Sequence, residues 1–111
     1  MIPTMSLLLP HIEPLVSQLV RRFQPRRIIL FGSYAYGTPH EESDLDLLLV
    51  ISDPPSRQKA WKIATELSHS SPVPLQLVFM RPEEFEETKE IVGGLAYPAY
   101  QEGKILHEAS S

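Results

Sequence analysis

Apolar residues along this chain change between helix-like and strand-like spacing. Over residues 6–23 they recur every three or four positions, which predicts an amphipathic helix, although Pro10 and Pro14 leave its first turns open. Residues 27–31 are almost wholly apolar, as in a strand buried on both faces. Residues 44–51 and 73–80 predict two further strands.

The remaining segments predict helices and one more strand. Residues 34–37 suggest a helical turn, and Ser56 suits the cap of a helix that runs to about His69. Pro82 suits the first turn of another helix, which the Gly93-Gly94 pair stops or bends. Residues 95–102 predict a short helix and residues 104–107 an edge strand.

Three aromatic residues lie in or near the predicted elements. Trp61 falls among the apolar positions of the helix from Ser56, so we predict that it anchors the core. Tyr34 and Tyr36 follow the first strand and either stack on a base or cover the core.

Size and composition limit the function. We expect residues 1–111 to form one domain with a modest core, so a large substrate would need a partner chain. A net charge of −4 argues against an extended nucleic-acid footprint. No apolar stretch approaches a membrane span, and the absence of cysteine fits a reducing compartment; we expect a cytoplasmic protein.

The densest chemistry lies between the first two strands. The apolar run from Ile28 to Phe31 stops at Gly32-Ser33, and after ten intervening residues the second strand begins with Asp44 and Asp46. Because strand side chains alternate, the two acids project from the face opposite the apolar residues, about 6–7 Å apart. A Mg²⁺ ion would relieve their repulsion, since it binds one or two carboxylates and fills its other positions with water and phosphate oxygens.

Gly32 and Ser33 suit a phosphate. Glycine allows a ligand to approach the backbone closely, and Ser33 offers a hydroxyl and an N–H at the start of a short helix, where anions bind. The two parts form one site if the intervening residues fold back.

The spacing of Gly32-Ser33 and Asp44-Leu-Asp46 resembles the signature of the DNA polymerase beta nucleotidyltransferase superfamily. Phe31-Gly-Ser-Tyr-Ala-Tyr-Gly-Thr-Pro leading to Ser43-Asp-Leu-Asp-Leu-Leu-Leu-Val resembles more narrowly the MNT type, the minimal nucleotidyltransferases. The resemblance is strong over residues 28–51 and looser to the C-terminus. It implies an α/β (α+β) fold, a small mixed sheet flanked by helices.

The same resemblance implies a function. Asp44 and Asp46 would be catalytic and would hold Mg²⁺, while Gly32 and Ser33 would bind the phosphates of ATP. The activity would be transfer of AMP to an acceptor hydroxyl, such as a tyrosine of a HEPN-domain toxin for which the chain acts as antitoxin. The base preference, the number of metals and a homo-oligomeric state stay open.

Two positions depart from the family pattern. The superfamily commonly has a third carboxylate on the third strand, where the aligned residue is Gln76, and no acid lies between Ser71 and Arg81. Many relatives carry a basic residue where Tyr36 stands. The alternative is therefore a non-catalytic nucleotide-binding module that neutralises a partner by direct contact.

Other charged residues favour simpler interpretations. The arginines at 21, 22, 26 and 27 are favoured as a solvated helix end over a contact to triphosphate or an acidic partner. The acidic run at 83–90 is favoured as a solvated helix face over a docking surface for a basic partner. A hydrolytic triad of Ser33, His40 and Asp44 has little support, and no histidine pair has zinc-ligand spacing.

Overall fold

A computed structural model describes residues 4–109, which form helices on both faces of a four-stranded sheet. The helices are α1 Met5–Phe23, α2 Ser33–Tyr36, α3 Arg57–Ser68, α4 Pro82–Thr88 and α5 Ala96–Glu102. The strands are β1 Arg27–Phe31, β2 Leu45–Val50, β3 Leu75–Met80 and β4 Lys104–Glu108. All the predicted elements are present, but α4 ends at Thr88, before the Gly93-Gly94 pair that was expected to stop it.

The sheet is mixed, as predicted. Its strand order is β3-β2-β1-β4, with β1 antiparallel to both β2 and β4 and β2 parallel to β3. The strand at residues 104–108 therefore lies at one edge, and β3 forms the other. The α/β (α+β) fold class is confirmed.

One face of the sheet carries the larger core. Alternate residues of β1 and β2 point towards α1, which contributes its buried stripe, together with Tyr34. The members buried most fully are Leu8, Leu19, Ile28, Leu30, Tyr34, Leu45, Leu47 and Leu49. Tyr34 thus covers the core, whereas Tyr36 is exposed.

Helix α1 continues through both of its prolines. The Thr4 side chain accepts a hydrogen bond from the Leu7 N–H at 3.4 Å, which caps the helix before Pro10 and Pro14. Each proline removes one amide donor, but the buried stripe on the sheet compensates.

The opposite face of the sheet is covered only in part. Ile29, Leu48, Val50 and Met80 pack against Phe85 of α4 and against Ala96 and Ala99 of α5. Asp46 shares this face with Leu48 and Val50 because strand side chains alternate. The Asp46 carboxylate therefore lies on the face that α4 and α5 cover, beyond the residues of this small core.

The prediction that Trp61 anchors the core is wrong. Its side chain is 71% exposed, whereas Ile63 on the same helix is 6% exposed. The inward positions of α3 are Ala60, Ile63, Ala64 and Leu67, and a residue directly after Ala60 is rotated about 100° away from it. Trp61 consequently lies at the margin of the apolar stripe.

Within residues 4–109 no helix is long and apolar enough to cross a membrane.

Two of the four arginines between the end of α1 and the start of β1 make ion pairs. Arg22 lies 3.9 Å from Glu66 and Arg27 lies 3.0 Å from Glu108.

Candidate functional site

Asp46 lies against the backbone of Gly32. In the β1–β2 register Asp46 is paired with Phe31, the last residue of β1, so Gly32, which follows that strand, adjoins the carboxylate. A Cβ atom at position 32 would overlap the Asp46 carboxylate oxygen Oδ2. Gly32 also has φ 79° and ψ −165°, a conformation that only glycine adopts readily. Both the space and the backbone angle therefore require glycine here.

Two carboxylates share this end of the sheet. Burial, together with the negative charge of Asp44, raises the pKa of Asp46 from 3.8 to about 6. Asp44 lies just before β2 and Asp46 is its second residue, so the strand determines the position of both. The two carboxylates therefore concentrate negative charge at the position where the sequence predicts a Mg²⁺ ion.

The residues present fit a divalent metal. The Oδ1 atom of Asp46 is buried and has no hydrogen-bond partner among the described residues. A buried carboxylate oxygen normally has a partner, and a hard cation would provide one. Across residues 4–109 no set of three or more histidine, aspartate or glutamate side chains could hold a metal ion. Two carboxylates with open positions suit Mg²⁺, which retains water and phosphate ligands.

Ser33 begins α2 directly after Gly32. Its hydroxyl donates a hydrogen bond to the Ser43 hydroxyl at 2.7 Å, and the Ser43 hydroxyl accepts another from the His40 N–H at 2.8 Å. These bonds tie the start of α2 to the residue before Asp44. The residues between the two motifs therefore fold back, as a single site formed by both motifs requires.

Ser43 was missed from the sequence although it is buried, with 5% exposure. The one available signal is a small polar residue directly before the acidic strand. The hydrolytic triad does not form, because Ser33 donates to Ser43 while His40 Nδ1 accepts from the Glu42 N–H at 3.3 Å.

Gln76 lies on β3, the third strand, as predicted. The parallel register pairs it directly with Asp46, so both side chains project from the same face of neighbouring strands. Gln76 is exposed. A catalytic role for Gln76 remains a prediction, but the structure brings this residue close to Asp46.

A groove of about 560 Å³ is lined by Asp44 and Gln76, and we call it the site groove. It is lined by Asp44, by residues 75–79 of β3, by Arg57 and Trp61 of α3, and by Leu95, among others. Since consecutive residues of β3 line it, the groove follows the outer edge of that strand.

Comparison with known proteins gives a family match. The profile of the nucleotidyltransferase domain matches residues 12–97, which include α2, β2 and β3 with all the candidate site residues.

Two curated relatives are similar over shorter segments. A protein of Methanocaldococcus jannaschii, provisionally named a protein adenylyltransferase, is 49% identical over 45 residues, which are 38% of this chain and 46% of the relative. Protein adenylyltransferase MntA of Shewanella oneidensis is 35% identical over 54 residues, 49% of this chain and 39% of the relative. The matches thus span less than half the length of either relative.

A solved structure agrees over most of the chain. A chain in a crystal structure of a toxin–antitoxin complex with AMP-PNP has a TM-score of 0.66 and 26% sequence identity. The alignment covers 87% of the present chain and 73% of that chain.

Proposed function

The chain belongs to the nucleotidyltransferase domain family, and from this premise we propose that it transfers AMP from ATP to an acceptor hydroxyl on a partner protein. One observation carries the proposal: the Asp46 carboxylate, beside Asp44, lies against Gly32 through Oδ2, while its Oδ1 atom is buried without a protein partner among residues 4–109. A metal-bound triphosphate would satisfy that oxygen and would touch both motifs. The names of the curated relatives support adenylyl transfer.

Asp44 and Asp46 would hold Mg²⁺, and Gly32 and Ser33 would bind the phosphates of the nucleotide. When bound, Mg²⁺ supplies charge neutralisation at the triphosphate and alignment of the α-phosphorus. Gly32 leaves room for the Asp46 carboxylate beside the backbone. The Ser33 hydroxyl, which donates to Ser43 here, can turn towards a phosphate oxygen instead.

In the proposed reaction the acceptor oxygen bonds to the α-phosphorus while the bond between that phosphorus and the bridging oxygen breaks. Pyrophosphate leaves and the hydroxyl proton passes to water. Gln76 orients the hydroxyl through its amide but does not take the proton, because an amide is not a base at neutral pH. Phosphoryl transfer depends mainly on positioning and charge neutralisation, so two aspartates suffice at a reduced rate.

The acceptor that we propose is a tyrosine of a HEPN-type toxin, with this chain as its cytoplasmic antitoxin. The similarity to a chain in a toxin–antitoxin crystal structure with AMP-PNP supports this assignment. The exposed site groove also leaves space for a protein segment beside Asp44.

The test uses the purified chain, a candidate HEPN-domain partner, Mg²⁺ and ATP labelled at the α-phosphate. We expect label on the partner, and a loss of roughly 100-fold or more in Asp46→Asn. Asp53→Asn is the matched control because Asp53 is an exposed aspartate in the loop after β2. Transfer by Asp46→Asn at the wild-type rate would contradict the proposal.

Gln76 favours one second candidate, a nucleotide-binding module that neutralises its partner by contact alone. The position beside Asp46 has an amide where the superfamily has an acid. Full neutralisation of the partner by Asp46→Asn, without label in either protein, would support the module over the enzyme.

A further inference from the structure

The chain's one tryptophan lies where two grooves meet. Trp61 is 71% exposed and lines the site groove, which ends at Asp44 and Gln76. It also lines a second groove of about 960 Å³, which we call the basic groove because Arg22, Lys59 and Lys62 line it. A ligand that covers Trp61 can therefore occupy both grooves.

The basic groove is positively charged although the chain carries a net charge of −4. Glu66 is the acidic residue among those lining it, and it lies 3.9 Å from Arg22 with both side chains about half exposed. Within residues 4–109 neither Lys59 nor Lys62 forms a salt bridge. Two cationic side chains are thus available, and their charge complements an acidic ligand.

The site groove adds apolar surface beside these charges. Trp61 and Leu95 both line it and are 71% and 62% exposed. Exposed aromatic side chains commonly anchor protein interfaces, because they bury a large area with little loss of conformational freedom. An acidic polypeptide with an apolar or aromatic side chain matches both the charge and the apolar surface of this arrangement.

We propose that Trp61, Lys59 and Lys62 dock an acidic segment of the acceptor protein, so that its hydroxyl enters the site groove beside Asp44 and Gln76. The proposed function supplies the identity of the hydroxyl, whereas the docking surface depends only on the two grooves. The exposed Trp61 lies where the segment would pass from the basic groove into the site groove.

Binding can be measured without identifying the natural partner. The probe is a random copolymer of glutamate and tyrosine, with a lysine–tyrosine copolymer as its charge-reversed control. Because Trp61 is the chain's one tryptophan, its fluorescence reports directly on the groove. The glutamate copolymer should shift Trp61 emission to the blue in a saturable, salt-sensitive manner, and the lysine copolymer should not.

Lys59→Glu provides a variant that keeps the fold. Lys59 lies three residues after Ser56, whose hydroxyl accepts from the Lys59 N–H at 3.2 Å, so glutamate there completes a capping box. We expect it to weaken copolymer binding about tenfold at low salt. Lys104→Glu, the same charge change on the exposed edge strand β4, should leave binding unchanged.

The outcomes separate docking from chemistry. Copolymer binding by a chain that transfers no AMP to the candidate HEPN-domain partner with Mg²⁺ and ATP supports the docking surface and counts against the proposed function. Equal binding of both copolymers, equal binding by Lys59→Glu, or tighter binding of a thymidine oligonucleotide overturns the docking proposal. So does Trp61 emission that changes with protein concentration alone, since a second copy would then cover the grooves.

Discussion

Asp46 is a half-buried carboxylate whose neighbours do not stabilise its charge. Among the described residues its Oδ1 atom makes no hydrogen bond, Asp44 adds a second negative charge, and the pKa is raised to about 6. A protein that needs no ligand here would gain stability from a neutral side chain. We interpret this local instability as the cost of a site prepared for a cation.

The raised pKa of Asp46 predicts how stability depends on pH without metal. Because the folded pKa exceeds the unfolded value, the folded state binds more protons, so this group's stabilisation is lost as pH rises from about 4 to about 6. Asp46→Asn should therefore unfold at higher urea concentration than wild type at pH 7.5. The gain should be about 1 kcal/mol, discounted because the carboxylate is partly exposed.

Urea denaturation at pH 4.5 and pH 7.5 in EDTA measures this effect, with Asp53→Asn as the control. Millimolar Mg²⁺ at pH 7.5 should then stabilise wild type and leave Asp46→Asn unchanged. Equal stability of Asp46→Asn and wild type at both pH values would show that the carboxylate is not destabilised.

Gly32 permits a paired substitution that isolates its contact with Asp46. Gly32 and Gly37 both have φ 79°, but a Cβ atom at position 37 meets no heavy atom within 4 Å. Gly37→Ala should cost about 1 kcal/mol of unfolding free energy from backbone strain alone. Gly32→Ala should cost about 2 kcal/mol more, because Asp46 must move.

Thermal or urea unfolding of both glycine variants provides the measurement, and nucleotide binding should fall in Gly32→Ala alone. Equal destabilisation of the two variants would mean that Asp46 has room to move, so that Gly32 does not fix its position.

The register between β2 and β3 places Gln76 beside Asp46 and predicts the effect of restoring the absent acid. Under the proposed function, Gln76→Glu would place a general base next to the acceptor hydroxyl. Such bases contribute roughly 100-fold or more, so we expect AMP transfer to accelerate at least tenfold with Mg²⁺ present. Gln101→Glu, at an exposed position of α5, serves as the control.

Initial rates of label transfer at saturating Mg²⁺ and ATP provide this comparison. An unchanged or slower rate for Gln76→Glu would indicate that this position does not face the reacting hydroxyl.

Helix α1 owes its stability to burial more than to its own sequence, which contains two prolines. Leu19 is fully buried whereas Leu9 is 50% exposed on the same helix. Leu19→Ala should cost about 2–5 kcal/mol and Leu9→Ala less than about 1 kcal/mol. Circular dichroism during urea unfolding measures both, and similar losses would mean that α1 does not pack on the sheet as described.

The elements were predictable because their apolar spacing is regular, and strand alternation predicted the face of β2 from which Asp46 projects. Position within a helix was harder to infer. Trp61 projects from α3 about 100° away from the inward residues, and its residue type alone does not show this. Tyr34 could be assigned to the core only from its contacts. The bond between Ser33 and Ser43 joins residues ten apart and had no sequence signal.

At the scale of the molecule, the two faces of the sheet differ in how fully they are covered. Helix α1 and the residues around it fill one face, while α4 and α5 pack over a smaller core on the other. Asp44, Asp46 and Gln76 come together at the same end of β2 and β3, next to the site groove along the β3 edge. The uneven coverage leaves two carboxylates accessible in a domain of this size.

The most direct test of the central claim is an anomalous diffraction map of crystals soaked with Mn²⁺ and AMP-PNP, Mn²⁺ serving as a probe for Mg²⁺. We expect an anomalous peak within coordination distance of Asp44 and Asp46, with phosphate density extending to Gly32 and Ser33. A peak elsewhere, or nucleotide density that does not reach the two aspartates, would contradict the account.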